Sequence, residues 1–214
     1  MANVRITEIF YSLQGEARTI GLPTVFVRLT GCPLRCQYCD TTYSFSGGTL
    51  LAIEQILAEV AQYKTPYVTV TGGEPLAQPV CLELLVALCD EGYQVSLETS
   101  GALPIAEVDS RVSVVLDLKT PNSGECHRNL YENIPLLAAK DQVKFVICSR
   151  RDYEWARFKV DEYRLLERAG DVLFSPSFGQ QPTTELAEWI LTDRLNVRFQ
   201  VQLHKLLWAD EPGR

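Results

Sequence analysis

A chain of 214 residues, 46% of them hydrophobic and 22% charged, is long enough to bury a sizeable core and is most simply a single domain. Twenty basic against 27 acidic side chains leave a formal charge of −7, which disfavours nonspecific binding to nucleic acid. No apolar run approaches the ~20 residues of a membrane span, and the start MANVRITEIF lacks a leader's basic and apolar regions, so a soluble cytoplasmic protein is expected.

Residues 4–10 (VRITEIF) alternate apolar and polar side chains as a half-buried strand does, and 24–30 form the next strand. Ser46-Gly47-Gly48-Thr49 is turn chemistry leading into a helix over about 50–63, with Ile53, Ile56, Leu57 and Val60 on one face. A strand at 67–71 is stopped by Gly72-Gly73, and a helix over about 79–91 presents Cys81, Leu84, Leu85 and Leu88 before Gly92 caps it. Strands follow at 94–98 and 112–117, then an imperfect helix at 128–139 interrupted by Pro135, and a strand at 142–147. A helix capped by Asp152 reaches Ala169, with Gly170 as its stop; a strand at 172–175, a helix at 184–193 and a strand at 197–203 complete the pattern, and the tail at about 209–214 reads as loose. Strands alternating with helices imply crossovers and a parallel sheet, and about six such units are too few to close an eight-fold barrel.

Directly after the second strand come Gly31-Cys32-Pro33-Leu34-Arg35-Cys36-Gln37-Tyr38-Cys39-Asp40-Thr41, three cysteines spaced C-x3-C-x2-C. Three thiols within eight residues point to a bound metal, since a disulfide would leave one unpaired. A structural zinc site wants a fourth ligand, for which Cys126 or His127 is the candidate; an iron-sulfur cluster uses thiolates in tight runs, and three of them leave one iron open to a ligand. Cys81, Cys89, Cys126 and Cys148 are scattered and read as small packing residues. Residues 1–50 carry four basic and three acidic side chains, whereas 51–100 carry one and seven, so the cysteine segment is spared its neighbour's acidity.

Other candidates stand at strand ends, where barrels of this kind gather their chemistry. Gly72-Gly73-Glu74-Pro75 is either a tight turn or a ligand cradle with free backbone N–H groups; Arg28 is either an ion-pair partner or a carboxylate fork; Thr41 is a turn hydroxyl or a metal ligand; His127 and His204 read as structural.

The cysteine triplet, Tyr38 before its last thiol and Gly72-Gly73-Glu74-Pro75 one strand later resemble the radical S-adenosylmethionine enzymes. Within that superfamily, Ser12-Leu13-Gln14-Gly15-Glu16, Phe26-Val27-Arg28-Leu29, Cys39-Asp40-Thr41, Glu98-Thr99-Ser100-Gly101 and Gln202-Leu203-His204-Lys205 resemble a queuosine-pathway family. Its members contract the ring of 6-carboxy-5,6,7,8-tetrahydropterin to 7-carboxy-7-deazaguanine with loss of ammonia. The resemblance runs from residue 4 to about 205 and implies an α/β fold, a single-domain partial (β/α)6 barrel open on one side, with the N-terminal strand at 4–10 and the cluster loop at 31–49. It implies a [4Fe–4S] cluster on Cys32, Cys36 and Cys39, and S-adenosylmethionine on Tyr38, Cys39, Asp40, Gly73, Asp117, Leu118 and Lys119. It further implies substrate on Leu13, Gln14, Gly15, Arg28 and Thr71, and Mg²⁺ on Thr41. Its chemistry starts from a 5′-deoxyadenosyl radical that takes hydrogen from the substrate's C6, with no protein acid or base assigned. A flavodoxin-like electron donor and a homodimer are implied as well. Asp117-Leu118-Lys119 departs from the Ser-Pro-Lys that relatives often carry, and the C-terminus runs on past His204-Lys205. The alternatives on the thiols are a glycyl-radical activase and a zinc-dependent binding module.

Overall fold

The structure, a computed structural model, describes residues 2–209, 211 and 213. Nine strands form one sheet in the order β3-β1-β2-β4-β5-β6-β7-β8-β9. From β2 (Pro23–Leu29) through β4 (Tyr67–Gly72), β5 (Gln94–Thr99), β6 (Ser113–Asp117), β7 (Gln142–Ile147) and β8 (Asp171–Pro176) to β9 (Arg198–Phe199), every neighbour is parallel and the order follows the chain. β1 (Asn3–Leu13) and β3 (Thr49–Ala52) add an antiparallel edge, and the two end strands β3 and β9 do not pair, so the barrel is partial and open.

Alternation along the strands decides what faces where. Val68 and Val70 of β4, Val95 and Leu97 of β5 and Val25, Val27 and Leu29 of β2 pack into one core beneath α1 (Ile53–Val60) and α2 (Cys81–Asp90). Val114 and Leu116 of β6, Val143, Phe145 and Ile147 of β7 and Val172 and Phe174 of β8 join a second core beneath α3 (Arg150–Glu162), α4 (Leu165–Arg168) and α5 (Thr183–Thr192). The intervening positions carry Thr69, Thr71, Ser96, Glu98, Asp117 and Lys144, polar groups set on the opposite face of the sheet. There they meet one another, as Thr69 Oγ1 and Ser96 Oγ do at 2.8 Å.

Several elements differ from the sequence reading. Residues 50–52, expected as the start of a helix, belong with Thr49 to β3 and pair with β1, and the helix begins at Ile53, where the apolar periodicity itself begins. The expected helix at 128–139 is two 3-10 turns, Cys126–Arg128 and Tyr131–Leu136; Pro135 has no N–H to give, and Asn133 instead ties the crossover through Ile105 N (3.1 Å) and Leu103 O (2.9 Å). The β6-to-β7 crossover therefore contains no α-helix, and the β5-to-β6 crossover, for which none was expected, contains none either. Ser149, not Asp152, caps α3: its side chain accepts from Asp152 N, while the Asp152 carboxylate accepts from Asn122 N and Cys148 N. The helix breaks at Arg164, whose φ is 52°. The last strand is only Arg198–Phe199, and Leu203–Trp208 is a helix, α6. Of the tail expected at about 209–214, residues 210, 212 and 214 lie outside the described residues.

Candidate active site

The loops at the C-terminal ends of β2, β4, β5 and β6, with the turn after β1, surround one cavity of about 510 Å³, within the usual range for small-molecule sites. Cys32, Cys36 and Cys39 line it, all half-buried free thiols. Their loop is pinned from outside. Gly31 N donates to Ser44 O (2.8 Å), Gln37 N to Ser123 O (3.0 Å) and Arg35 N to Glu125 Oε1 (2.6 Å), while Leu34 is sunk to 1% exposure. The Arg35 guanidinium caps Cys32 O at 2.8 Å and lies over the Phe45 ring at 4.2 Å. Burial pushes the thiols of Cys32 and Cys36 up, Cys36 to about 11, so metal binding there has to displace protons. Among the described residues no three His, Cys, Asp or Glu side chains are gathered as for a single metal ion, and Cys126 and His127, the candidates for a fourth zinc ligand, do not line the cavity. An iron-sulfur cluster takes each thiolate on a different iron and fits ligands spread around it.

Gly72-Gly73-Glu74-Pro75 is pressed against the cysteine loop. A Cβ on Gly73 would stand 2.3 Å from Gly31 O and 2.7 Å from Cys32 Cβ, and one on Gly72 would stand 2.3 Å from Leu29 O. The expectation of free N–H groups here is corrected: Gly73 N donates to Leu29 O (3.2 Å) and Glu74 N to Gly31 O (2.8 Å), because the glycines let the two loops dock backbone to backbone. Glu74, fully buried, accepts from Leu76 N (3.1 Å), Thr99 Oγ1 (2.9 Å), Ser100 N (2.7 Å) and Ser100 Oγ (2.5 Å), which joins this loop to the next one.

The cavity floor is charged. Lys144 Nζ lies 2.5 Å from Glu16 Oε2 and 3.5 Å from Asp117 Oδ2, and Lys119 Nζ lies 2.9 Å from the same Asp117 oxygen. Burial alone would raise the Glu16 carboxyl, but the Lys144 ammonium beside it holds it at about 2. Burial lifts Glu98 above the usual carboxylate range even though Thr71 Oγ1 (3.1 Å) and Gln14 Nε2 (3.4 Å) donate to it. Glu16 and Glu98 enter the sequence reading only as members of motifs, with no role at the site, and Lys144 does not enter it at all. For Glu98 and Lys144 the available signal was a single charged residue on the face opposite the apolar positions of an alternating strand, as in QVSLET and QVKFVI.

Arg28 makes the ion pair that the first of its two sequence readings expects. Its Nε donates to Glu8 Oε1 at 2.7 Å, and Tyr43 OH donates to the same oxygen at 2.8 Å, yet the residue lines the cavity and its Nη groups make no hydrogen bond among the described residues. Thr41 precedes a 3-10 turn without capping it by its side chain, and its Oγ1 lies 3.8 Å from Cys39 Sγ. The segment after β9 closes the open side of the barrel. Gln200 grips both backbone groups of Ala17 (2.6 and 2.8 Å), Gln202 Nε2 donates to Glu16 Oε1 (2.9 Å), and Lys205 Nζ approaches Asp40 Oδ2 (3.4 Å). His204 packs so closely that a Cβ on Gly15 would stand 2.1 Å from its Nδ1.

Of the residues expected at the site, Leu13, Gln14, Gly15, Arg28, Cys32, Cys36, Tyr38, Cys39, Asp40, Thr41, Thr71, Gly73, Asp117 and Lys119 line the cavity. Leu118 does not; its side chain is buried in the second core. A partial parallel barrel with three thiols on one rim loop matches the sequence profile of the Radical SAM superfamily over residues 26–155, and the chain is a radical SAM protein, of a class that uses a [4Fe–4S] cluster and S-adenosylmethionine. Two relatives are similar over almost their whole length. One is a 7-carboxy-7-deazaguanine synthase of Chlorobaculum tepidum, 45% identical over 97% of this chain and 95% of its own. The other, of Koribacter versatilis, bears the same name and is 40% identical over 97% and 98%. The chain belongs to the 7-carboxy-7-deazaguanine synthase family. A crystal structure of QueE from Escherichia coli, 24% identical, has the same fold with a TM-score of 0.78 over 94% of this chain and 95% of that one.

Proposed function

We propose that this chain converts 6-carboxy-5,6,7,8-tetrahydropterin to 7-carboxy-7-deazaguanine with release of ammonia. The observation that carries the reading is the meeting, on one cavity, of the three-thiol loop and the Leu13-Gln14-Gly15 turn. Cys32, Cys36 and Cys39 would hold the [4Fe–4S] cluster, which with S-adenosylmethionine supplies the radical chemistry. Tyr38, Cys39, Asp40, Gly73, Asp117, Leu118 and Lys119 receive the cofactor, Leu118 through its backbone because its side chain belongs to the core. Asp117 Oδ1, buried without a partner, is an acceptor in reserve there.

Leu13, Gln14, Gly15, Arg28 and Thr71 orient the pterin. The Nη donors left on Arg28 suit its carboxylate, since a charge-assisted pair with a planar fork is directional. Thr41 contributes the hydroxyl that holds a hydrated Mg²⁺, an ion that needs few protein ligands; support comes from a side chain that caps nothing. The clamp of residues 200–205 on the Gln14–Ala17 turn keeps water from the cavity's open side. On the same reading the protein works in the cytoplasm as a homodimer, with a flavodoxin-like protein as its electron donor. A glycyl-radical activase would share the cysteines but leave the pterin-facing residues without a role.

The test is an anaerobic incubation of cluster-loaded protein with S-adenosylmethionine, a reductant and the carboxypterin. A product one ammonia lighter than the substrate is expected. Reductive cleavage of the cofactor with the pterin recovered unchanged would overturn the assignment.

A further inference from the structure

We propose that Lys144 is a positioning residue that makes the binding of substrate and of S-adenosylmethionine mutually dependent, by joining the Gln14-Gly15-Glu16 turn to the Asp117–Lys119 strand end through one buried ammonium. This rests on the assignment of those two segments to pterin and cofactor made above.

Lys144 stands in β7, a strand buried along its whole length, at a position that faces the cavity. Its ammonium divides between Glu16 Oε2 at 2.5 Å and Asp117 Oδ2 at 3.5 Å. No hydrogen bond or ion pair among the described residues joins residues 14–17 directly to 117–119, so the contact between these two walls runs through this side chain. Each carboxylate also answers to its own wall: Glu16 accepts from Gln202 Nε2 at 2.9 Å, and Asp117 shares its Oδ2 with Lys119 at 2.9 Å. The Oδ1 of Asp117 is buried and has no partner. An apolar trio of similar volume would hold the sheet as well as a buried ion triad does. What it could not do is let the charge balance at one wall alter the hold on the other.

The unequal distances define the direction of the effect. A cofactor that draws Asp117 and Lys119 toward itself removes the weaker of the two claims on Lys144, and the ammonium settles on Glu16. That fixes the turn carrying Gln14 and Gly15 in the geometry that receives the pterin. By linkage, bound pterin must tighten the cofactor by the same factor.

The experiment uses the cluster-loaded protein without reductant, so that the cofactor is bound and not cleaved. The dissociation constant of S-adenosylmethionine is measured by calorimetry with and without the carboxypterin, for wild type, Lys144→Met, Lys144→Arg and Glu16→Gln. In wild type the pterin should tighten the cofactor about fivefold or more. Lys144→Met and Glu16→Gln should bring that factor to within about twofold of unity while each ligand alone still binds, and Lys144→Arg should restore part of it. A wild-type factor near one, or a factor unchanged in Glu16→Gln, overturns the proposal. Should Lys144→Met fail to fold, the near-isosteric Glu16→Gln decides the matter. A protein that makes the deazaguanine but shows no coupling refutes only the role of Lys144; one that binds no carboxypterin refutes the functional assignment beneath it.

Discussion

Replacing Glu74 by alanine removes an acceptor to which four donors turn inside the protein, and its cost can be worked out from the bonds it breaks. The amides of Leu76 (3.1 Å) and Ser100 (2.7 Å) would be left buried without a partner, whereas the hydroxyls of Thr99 and Ser100 can rotate to other acceptors. Two orphaned amides at the lower end of ~1 to 3 kcal/mol each cost about 2 kcal/mol. The one lost methylene adds ~0.8 kcal/mol. A destabilisation of about 3 kcal/mol is therefore expected, a sizeable share of the ~5–15 kcal/mol that holds a typical domain together. Glu74→Gln keeps the shape but sets an amide donor against donors, and should cost about 2 kcal/mol, the worth of a charge-assisted bond. Urea unfolding at unchanged m-value measures both. Because Glu74 holds the loop whose Gly73 lies against Gly31 and Cys32, the iron retained per chain after anaerobic gel filtration should fall in the same order. A Glu74→Ala protein within 1 kcal/mol of wild type and fully loaded with iron would refute this account of the loop.

Alanine at Cys32, Cys36 or Cys39 should abolish iron loading and activity while Cys81→Ala and Cys89→Ala retain iron; full iron content in any of the first three would sink the cluster assignment. Thr41→Ala should leave cofactor cleavage intact but lower product formed per 5′-deoxyadenosine and its response to added Mg²⁺, with Thr41→Ser recovering much of the loss; coincident Mg²⁺ titrations would reduce Thr41 to a turn residue. Gly15→Ala must displace His204, so it should raise the pterin KM at least several-fold with unchanged iron, and an unaltered KM would show that the C-terminal clamp does not shape the site. Glu16, held at about 2 against its usual 4.5, contributes stability that is present above about pH 4.5 and is lost as pH falls toward 2. The stability gap between wild type and Glu16→Gln should therefore narrow between pH 6 and pH 3, and a constant gap contradicts the Glu16–Lys144 pairing.

The sequence by itself determined the strands of the parallel sheet and the thiol triplet, and nearly every residue it placed at the site does line the cavity. The reason is local: apolar alternation, glycine breaks and cysteine spacing are properties of neighbouring residues, and loops that follow parallel strands have to meet on one rim. Only the tertiary structure decided what pairs with what across the chain. Residues 49–52 became a strand because the edge of β1 was there to accept them, and 128–139 lost its helix because Pro135 could not donate and Asn133 found partners in the preceding crossover. Gly73 and Glu74 spend their amides on the cysteine loop. Glu16, Asp117 and Lys144, up to 128 positions apart, form one buried charge cluster. A period of two reveals that Lys144 faces away from the apolar core, but the identity of the carboxylates it meets depends on the order of strands in the sheet and on the C-terminal segment that presses the Glu16 turn inward.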